Sequence, residues 1–129
     1  MNLLLDTHIL LWAAGQPDSL PPQARELLLD TANTLAFSSA SLWEIFIKRG
    51  LGRPDFSVDP RRLWRLLLAH GYREIAVTGE HTLAVGELPD LHRDPFDRIL
   101  LAQAETEGAT LLTADRALAQ YPGPVRLVA

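Results

Sequence analysis

The chain has 129 residues, 47% of them hydrophobic and 22% charged, with no cysteine and a formal net charge of -4. That length suits one domain, residues 1–129, with a buried core, and no apolar run is long enough to span a bilayer. The lack of cysteine excludes disulfides, thiolate metal sites and thiol nucleophiles, and the negative charge argues against holding nucleic acid by overall electrostatics.

Asn2 to Leu5 reads as a first strand and not as a signal peptide, because no basic segment precedes it; a cytoplasmic protein is expected. A short helix from Thr7 to Ala14 and a turn through Gly15, Pro17 and Asp18 follow. Pro21-Pro22 opens a second helix with an apolar stripe of Ala24, Leu27, Leu28 and Thr31. A strand over Thr34 to Ser38 leads into a helix over Ser39 to Arg49. Its Leu42, Trp43, Ile45, Phe46 and Ile47 are apolar nearly all round, which predicts a mostly buried helix, stopped by Gly50 and Gly52. After a loop over 53–59, Pro60 starts a basic helix that runs to Gly71. Glu74 to Thr78 is a short strand, Glu80 to Leu88 a helix and Pro89 to Arg93 a polar loop. Asp94 suits the N-cap, and Pro95 the first position, of a helix that ends at Glu107 before Gly108. Thr110 to Thr113 is a strand, Asp115 to Gln120 a short helix and Val125 to Val128 an edge strand. This alternation predicts an α/β sandwich with a mainly parallel sheet.

Four acids stand at element junctions: Asp6 and Asp115 just after strands, Glu44 and Asp97 in the opening turns of helices. A parallel sheet gathers such positions at its carboxyl edge. Each acid also has a local explanation, since Asp before a helix is a preferred cap and a first-turn acid complements the helix dipole. Glu44 discriminates between the two. Set among Trp43, Ile45 and Phe46, its carboxylate needs a cation, an arginine or a polar cleft. Clustered carboxylates repel, and a hard divalent cation, Mg²⁺ or Mn²⁺, resolves the repulsion in a form that also meets phosphate oxygens.

Other chemistries are poorly supplied. There is no G-x-S-x-G, no phosphate-cradling Gly-rich loop, and His8, His70, His81 and His92 lie at no metal-binding spacing, although His92 enters the Asp94 segment. Aspartyl-phosphate phosphatases want a second aspartate where His8 stands. Those enzymes and response-regulator receivers both want a downstream lysine, and Lys48 is the only lysine. A non-catalytic RNA- or protein-binding module is the rival of a different class. The basic run of Lys48, Arg49, Arg53, Arg61, Arg62, Arg65 and Arg73, against Asp55 and Asp59, reads as a solvated face or as a track for a phosphate backbone.

Four motifs taken together, nearly end to end, resemble the PIN-domain ribonucleases and, within them, the VapC-type toxins of toxin-antitoxin operons. They are Leu4-Leu5-Asp6-Thr7-His8; Ser38 to Ile45 with Trp43-Glu44; His92-Arg93-Asp94-Pro95-Phe96-Asp97-Arg98 followed by Ala102-Gln103-Ala104; and Thr113-Ala114-Asp115. The resemblance implies a PIN-like three-layer α/β/α sandwich. It makes Asp6, Glu44, Asp97 and Asp115 an acidic quartet holding Mg²⁺ or Mn²⁺, with Glu44 a direct or water-mediated ligand and Asp94 and Thr113 in support. Arg98, Lys48 and Arg49 are expected as phosphate contacts. It further implies RNA hydrolysis to a 5′-phosphate and a 3′-hydroxyl, a homodimer, and a cognate antitoxin whose carboxyl-terminal segment blocks the groove.

Overall fold

A computed structural model describes residues 1–128. In chain order the elements are β1 (Asn2–Leu5), α1 (Thr7–Gly15), α2 (Pro22–Leu29), β2 (Thr34–Ser38), α3 (Ser39–Gly50), α4 (Pro60–Ala69), β3 (Arg73–Ile75), α5 (Gly79–Val85), α6 (Pro95–Glu107), β4 (Thr110–Thr113) and β5 (Val125–Leu127). The inner strands β1, β2 and β4 carry continuous apolar runs, as strands covered on both faces must. Side chains alternate across the sheet. Leu3, Leu5, Phe37 and Leu112 therefore pack with Ile9, Leu10, Ala24, Ile45, Leu63 and Leu67 of α1 to α4. Leu4, Ala36 and Leu111 pack on the other side with Leu100, Leu101 and Ala104 of α6. The result is the expected α/β/α sandwich.

All four strand pairings are parallel, in the order β3-β2-β1-β4-β5. The chain steps from β1 outward to β2 and β3, then crosses back over the sheet to β4 and β5. Connections thus leave β1 and β4 in opposite directions, which opens a crevice at the carboxyl ends of those two strands, where ligands of such sheets bind. Asp6 and Asp115 follow β1 and β4.

Several local expectations are corrected. The α3 helix is not mostly buried: Ile45 is fully enclosed, but Trp43 is 63% and Phe46 65% exposed, because Ile45 turns into the core while those two residues face outward, Trp43 edge-on to Phe96. The α2 helix stops at Leu29, short of Thr31, where Asn33 Nδ2 donates to Leu27 O at 3.0 Å. The β3 strand covers Arg73–Ile75 rather than 74–78, since its partner β2 ends at Ser38 opposite Ile75. The α5 helix ends at Val85, not Leu88, and only a 3₁₀ turn over Leu118–Gln120 stands for the expected helix after Asp115.

The α6 boundaries match expectation. Asp94 Oδ1 accepts from Phe96 N at 2.9 Å, and Gly108 closes the helix at φ 67°. A Cβ meets no neighbour there, so strain alone sets the cost of substitution. Gly108→Ala is expected to lower stability by about 1 kcal/mol, read as a lower urea midpoint at unchanged m.

Candidate active site

Asp6 is fixed from three directions. Its backbone N donates to Leu112 O of β4 at 3.0 Å, its Oδ1 caps α1 by accepting from Ile9 N at 2.9 Å, and its Oδ2 accepts from the Thr113 hydroxyl. Thr113 Oγ1 in turn accepts from Asp115 N at 3.0 Å, and Asp115 Oδ1 accepts from Ala117 N at 2.9 Å. Thr113 thus couples the ends of β1 and β4. Burial pushes the Asp6 carboxyl above the usual range and the Glu44 charge adds to this, while the Thr113 hydroxyl, the Ile9 N–H and His8 oppose it.

Glu44 faces inward from α3 and is buried. Thr7 Oγ1 donates to its Oε1 at 2.5 Å and lies 3.0 Å from Ser41 Oγ. Lys48 Nζ, one helical turn on, donates to its Oε2 at 2.6 Å.

Asp97 sits in the first turn of α6, yet it does not cap that helix. Asp94 does, accepting from both Phe96 N and Asp97 N. This leaves the Asp97 carboxylate to the crevice, where its Oδ2 is 2.7 Å from His92 Nε2. The same imidazole nitrogen is 4.0 Å from Asp115 Oδ2. Burial pushes Asp97 up to about 6; the His92 bond opposes this, and the charges of Asp94, Asp6 and Glu44 reinforce it. His92, Asp94 and Asp97 each bring one ligand atom within 4.8 Å of the others.

Carboxylates from four elements therefore gather here, Asp6, Glu44, Asp94 and Asp97 through their mutual charge and Asp115 through His92, with Lys48, His8 and His92 beside them. Like charges held this close are a cost to the fold. The donors are mostly carboxylate oxygens, a set suited to a hard divalent cation.

Among the expected phosphate contacts, Lys48 lies in the crevice, and the other two do not. Arg98 is turned into the fold: its guanidinium donates to Pro89 O, His92 O, Val85 O and the Tyr121 hydroxyl, pinning the loop before α6. Arg49 lies half-exposed at the end of α3, 3.8 Å from Asp59. Nothing local in the sequence marks Thr7 as a member of the site, because it meets Ser41 and Glu44 across more than thirty residues of chain. The Glu44–Lys48 contact had a signal in its i,i+4 spacing. Beside the crevice, Trp43 stands edge-on to Phe96 at 5.5 Å, and both line an apolar cavity of about 540 Å³ with Val77, Pro95 and Ile99.

Comparison with known proteins finds matches over nearly the whole chain. The PIN domain family profile matches residues 3–124. Ribonuclease VapC22 of Mycobacterium tuberculosis is 29% identical over 127 residues, covering 96% of each chain. Among solved structures, VapBC2 from Rickettsia felis bound to a DNA fragment from its promoter superposes with a TM-score of 0.73 at 22% identity, covering 98% of each chain. A toxin-antitoxin complex from Klebsiella pneumoniae gives 0.64 at 20% identity, again over 98% of each chain.

Proposed function

We propose that this chain, which belongs to the PIN domain family, is a single-domain, metal-dependent endoribonuclease of the cytoplasm, the toxin of a toxin-antitoxin pair. The observation that supports the reading best is that Asp6 and Asp97, pushed upward first by burial, are pushed further by nearby charge, Asp6 by Glu44 and Asp97 by Asp94, Asp6 and Glu44, while Asp115 stands 4.0 Å from the imidazole that bonds Asp97. A protein without a cationic ligand to bind gains nothing from that crowding.

Asp6, Asp97 and Asp115 are the proposed holders of Mg²⁺, for which Mn²⁺ substitutes. Bound, the cation supplies a lowered water pKa and neutralises charge on the phosphate oxygens. The protein's own groups set the stage for this. Thr113 orients one oxygen of Asp6, His92 orients one of Asp97, and Asp94 keeps the first turn of α6 in place so that Asp97 points at the crevice. A phosphodiester cut here leaves a 5′-phosphate and a 3′-hydroxyl.

Exposed Trp43 and Phe46 support a protein partner for this face, since large apolar groups side by side are seldom left to water. A homodimer and a cognate antitoxin are the proposed partners.

Expression without the antitoxin is expected to arrest growth, and the purified protein to cut labelled RNA with Mg²⁺ or Mn²⁺ but not with EDTA. Asp115→Asn is expected to remove both effects. Tight RNA binding with no cleavage under either metal defeats the enzyme reading in favour of a binding module.

A further inference from the structure

Lysine occurs once among the twelve lysines and arginines of the chain, and the fold sets that residue, Lys48, inside the acidic crevice. Its ammonium is held in three ways. Glu44 Oε2 is 2.6 Å away, and the rings of Phe56 and Phe96 stand 4.9 and 5.8 Å from the nitrogen. The aromatic faces attract the charge, and the side chain is only 19% exposed. One of the three N–H donors goes to Glu44; among the described residues the ammonium makes no other hydrogen bond. Glu44, by contrast, has a partner on each oxygen, Thr7 at Oε1 and Lys48 at Oε2.

We propose that Lys48 is the phosphate-binding cation of this site, and that Glu44 acts on the reaction through it, as a positioning residue rather than as a ligand of the divalent ion. The proposal rests on the nuclease reading above. A phosphodiester carries negative charge into a crevice that already holds Asp6, Asp94, Asp97 and Asp115, and a fixed cation with two unused donors meets that charge. Because the lysine is already ordered in the fold, little side-chain freedom is lost when the substrate arrives. A guanidinium does not replace it: the planar fork is larger than an ammonium and holds a carboxylate in a fixed two-point geometry, which moves its charge away from the place the ammonium takes beside Glu44, Phe56 and Phe96.

The test measures binding separately from turnover. Adenosine 5′-monophosphate, which carries the phosphate group of the proposed product, is titrated calorimetrically into Mn²⁺-saturated protein. Mn²⁺ itself is titrated into the metal-free protein. Lys48→Met is expected to weaken the nucleotide at least about tenfold without lowering Mn²⁺ affinity, and Lys48→Arg is expected to fail to restore it, with melting curves establishing that both are folded. Glu44→Gln is expected to keep Mn²⁺ affinity within about threefold of wild type while slowing RNA cleavage. Adding Lys48→Met to it is expected to slow cleavage no further than Lys48→Met alone, as for residues acting in one unit. Equal nucleotide binding by wild type and Lys48→Met, including no binding by either, overturns the role of Lys48. Loss of Mn²⁺ binding in Glu44→Gln overturns the positioning role of Glu44. Failure of the wild type to cut RNA with Mn²⁺ overturns the underlying nuclease reading, and is read from a separate assay.

Discussion

In chelator at pH 7, Asp97→Asn is expected to melt above the wild type, and saturating Mn²⁺ is expected to reverse the order. Asp97 is pushed up to about 6, first by burial and then by Asp94, Asp6 and Glu44, against an ordinary value of 3.8. Between those values the folded chain holds a proton that the unfolded chain has released. Stability from this group therefore falls as pH rises through roughly 4 to 6, and the whole cost is present at neutral pH. The gap corresponds to about 3 kcal/mol as an upper figure. An asparagine keeps the shape, can still meet His92, and has no charge to bury. It gives up the favourable dipole interaction of a first-turn acid, on the order of 0.5 kcal/mol, so a net gain of about 1–2 kcal/mol remains. At roughly 3–5 °C per kcal/mol this is readily measured. Metal at 100 times its dissociation constant stabilises the wild type by about 2.7 kcal/mol, and a protein that has lost a ligand forfeits most of that.

The pH arm separates this from a packing effect. The two proteins are expected to converge near pH 4, where Asp97 is protonated in the fold, and to diverge as pH rises toward 7. A parallel offset at every pH, or a lower melting point for Asp97→Asn in chelator at pH 7, removes Asp97 from the repulsive cluster. A capping role does not explain such a result, because the α6 N-cap is Asp94.

What could be read from the residues was what short-range chemistry decides. Asp94, Pro95 and Gly108 bound α6 as their sequence order indicates, because capping and φ preference act within a turn of chain. The strands β1, β2 and β4 take the bounds expected of them, their apolar runs extended by a polar residue at one or both ends. The burial of α3 was not legible. An apolar residue reports that it can be covered, not that anything covers it, and Trp43 and Phe46 face outward although their neighbour Ile45 is enclosed. Arg98 shows the same limit for charge: beside Asp97 it looked available to a phosphate, and only the fold reveals four oxygen acceptors around it. Long-range contacts such as Thr7 with Glu44 are properties of the sheet order, which no local pattern encodes.

The loss of a single charge at Asp6 is expected to reduce RNA cleavage about 10³-fold or more while leaving the fold intact. Asp6→Asn suits this question because of how the two oxygens are used. Oδ1 accepts from Ile9 N, and the amide oxygen of asparagine can do the same. The amide N–H₂ then faces Thr113 Oγ1, a hydroxyl that can reverse its role from donor to acceptor. Burial pushes the native carboxyl upward, so a neutral replacement relieves a cost, and the melting point in chelator is expected to hold or rise. Catalysis has no such substitute. A lost anionic ligand removes several kcal/mol from a metal-assisted transition state, and each 1.36 kcal/mol is a factor of about ten. Asp6→Ala is the control: it loses the cap as well, at about 1 kcal/mol, and is expected to be both inactive and less stable. Single-turnover cleavage and melting curves of the two variants decide the matter. If Asp6→Asn cuts RNA within tenfold of the wild type at saturating Mn²⁺, Asp6 serves the start of α1 alone, and the centre of the site moves to Asp97, Asp94 and His92.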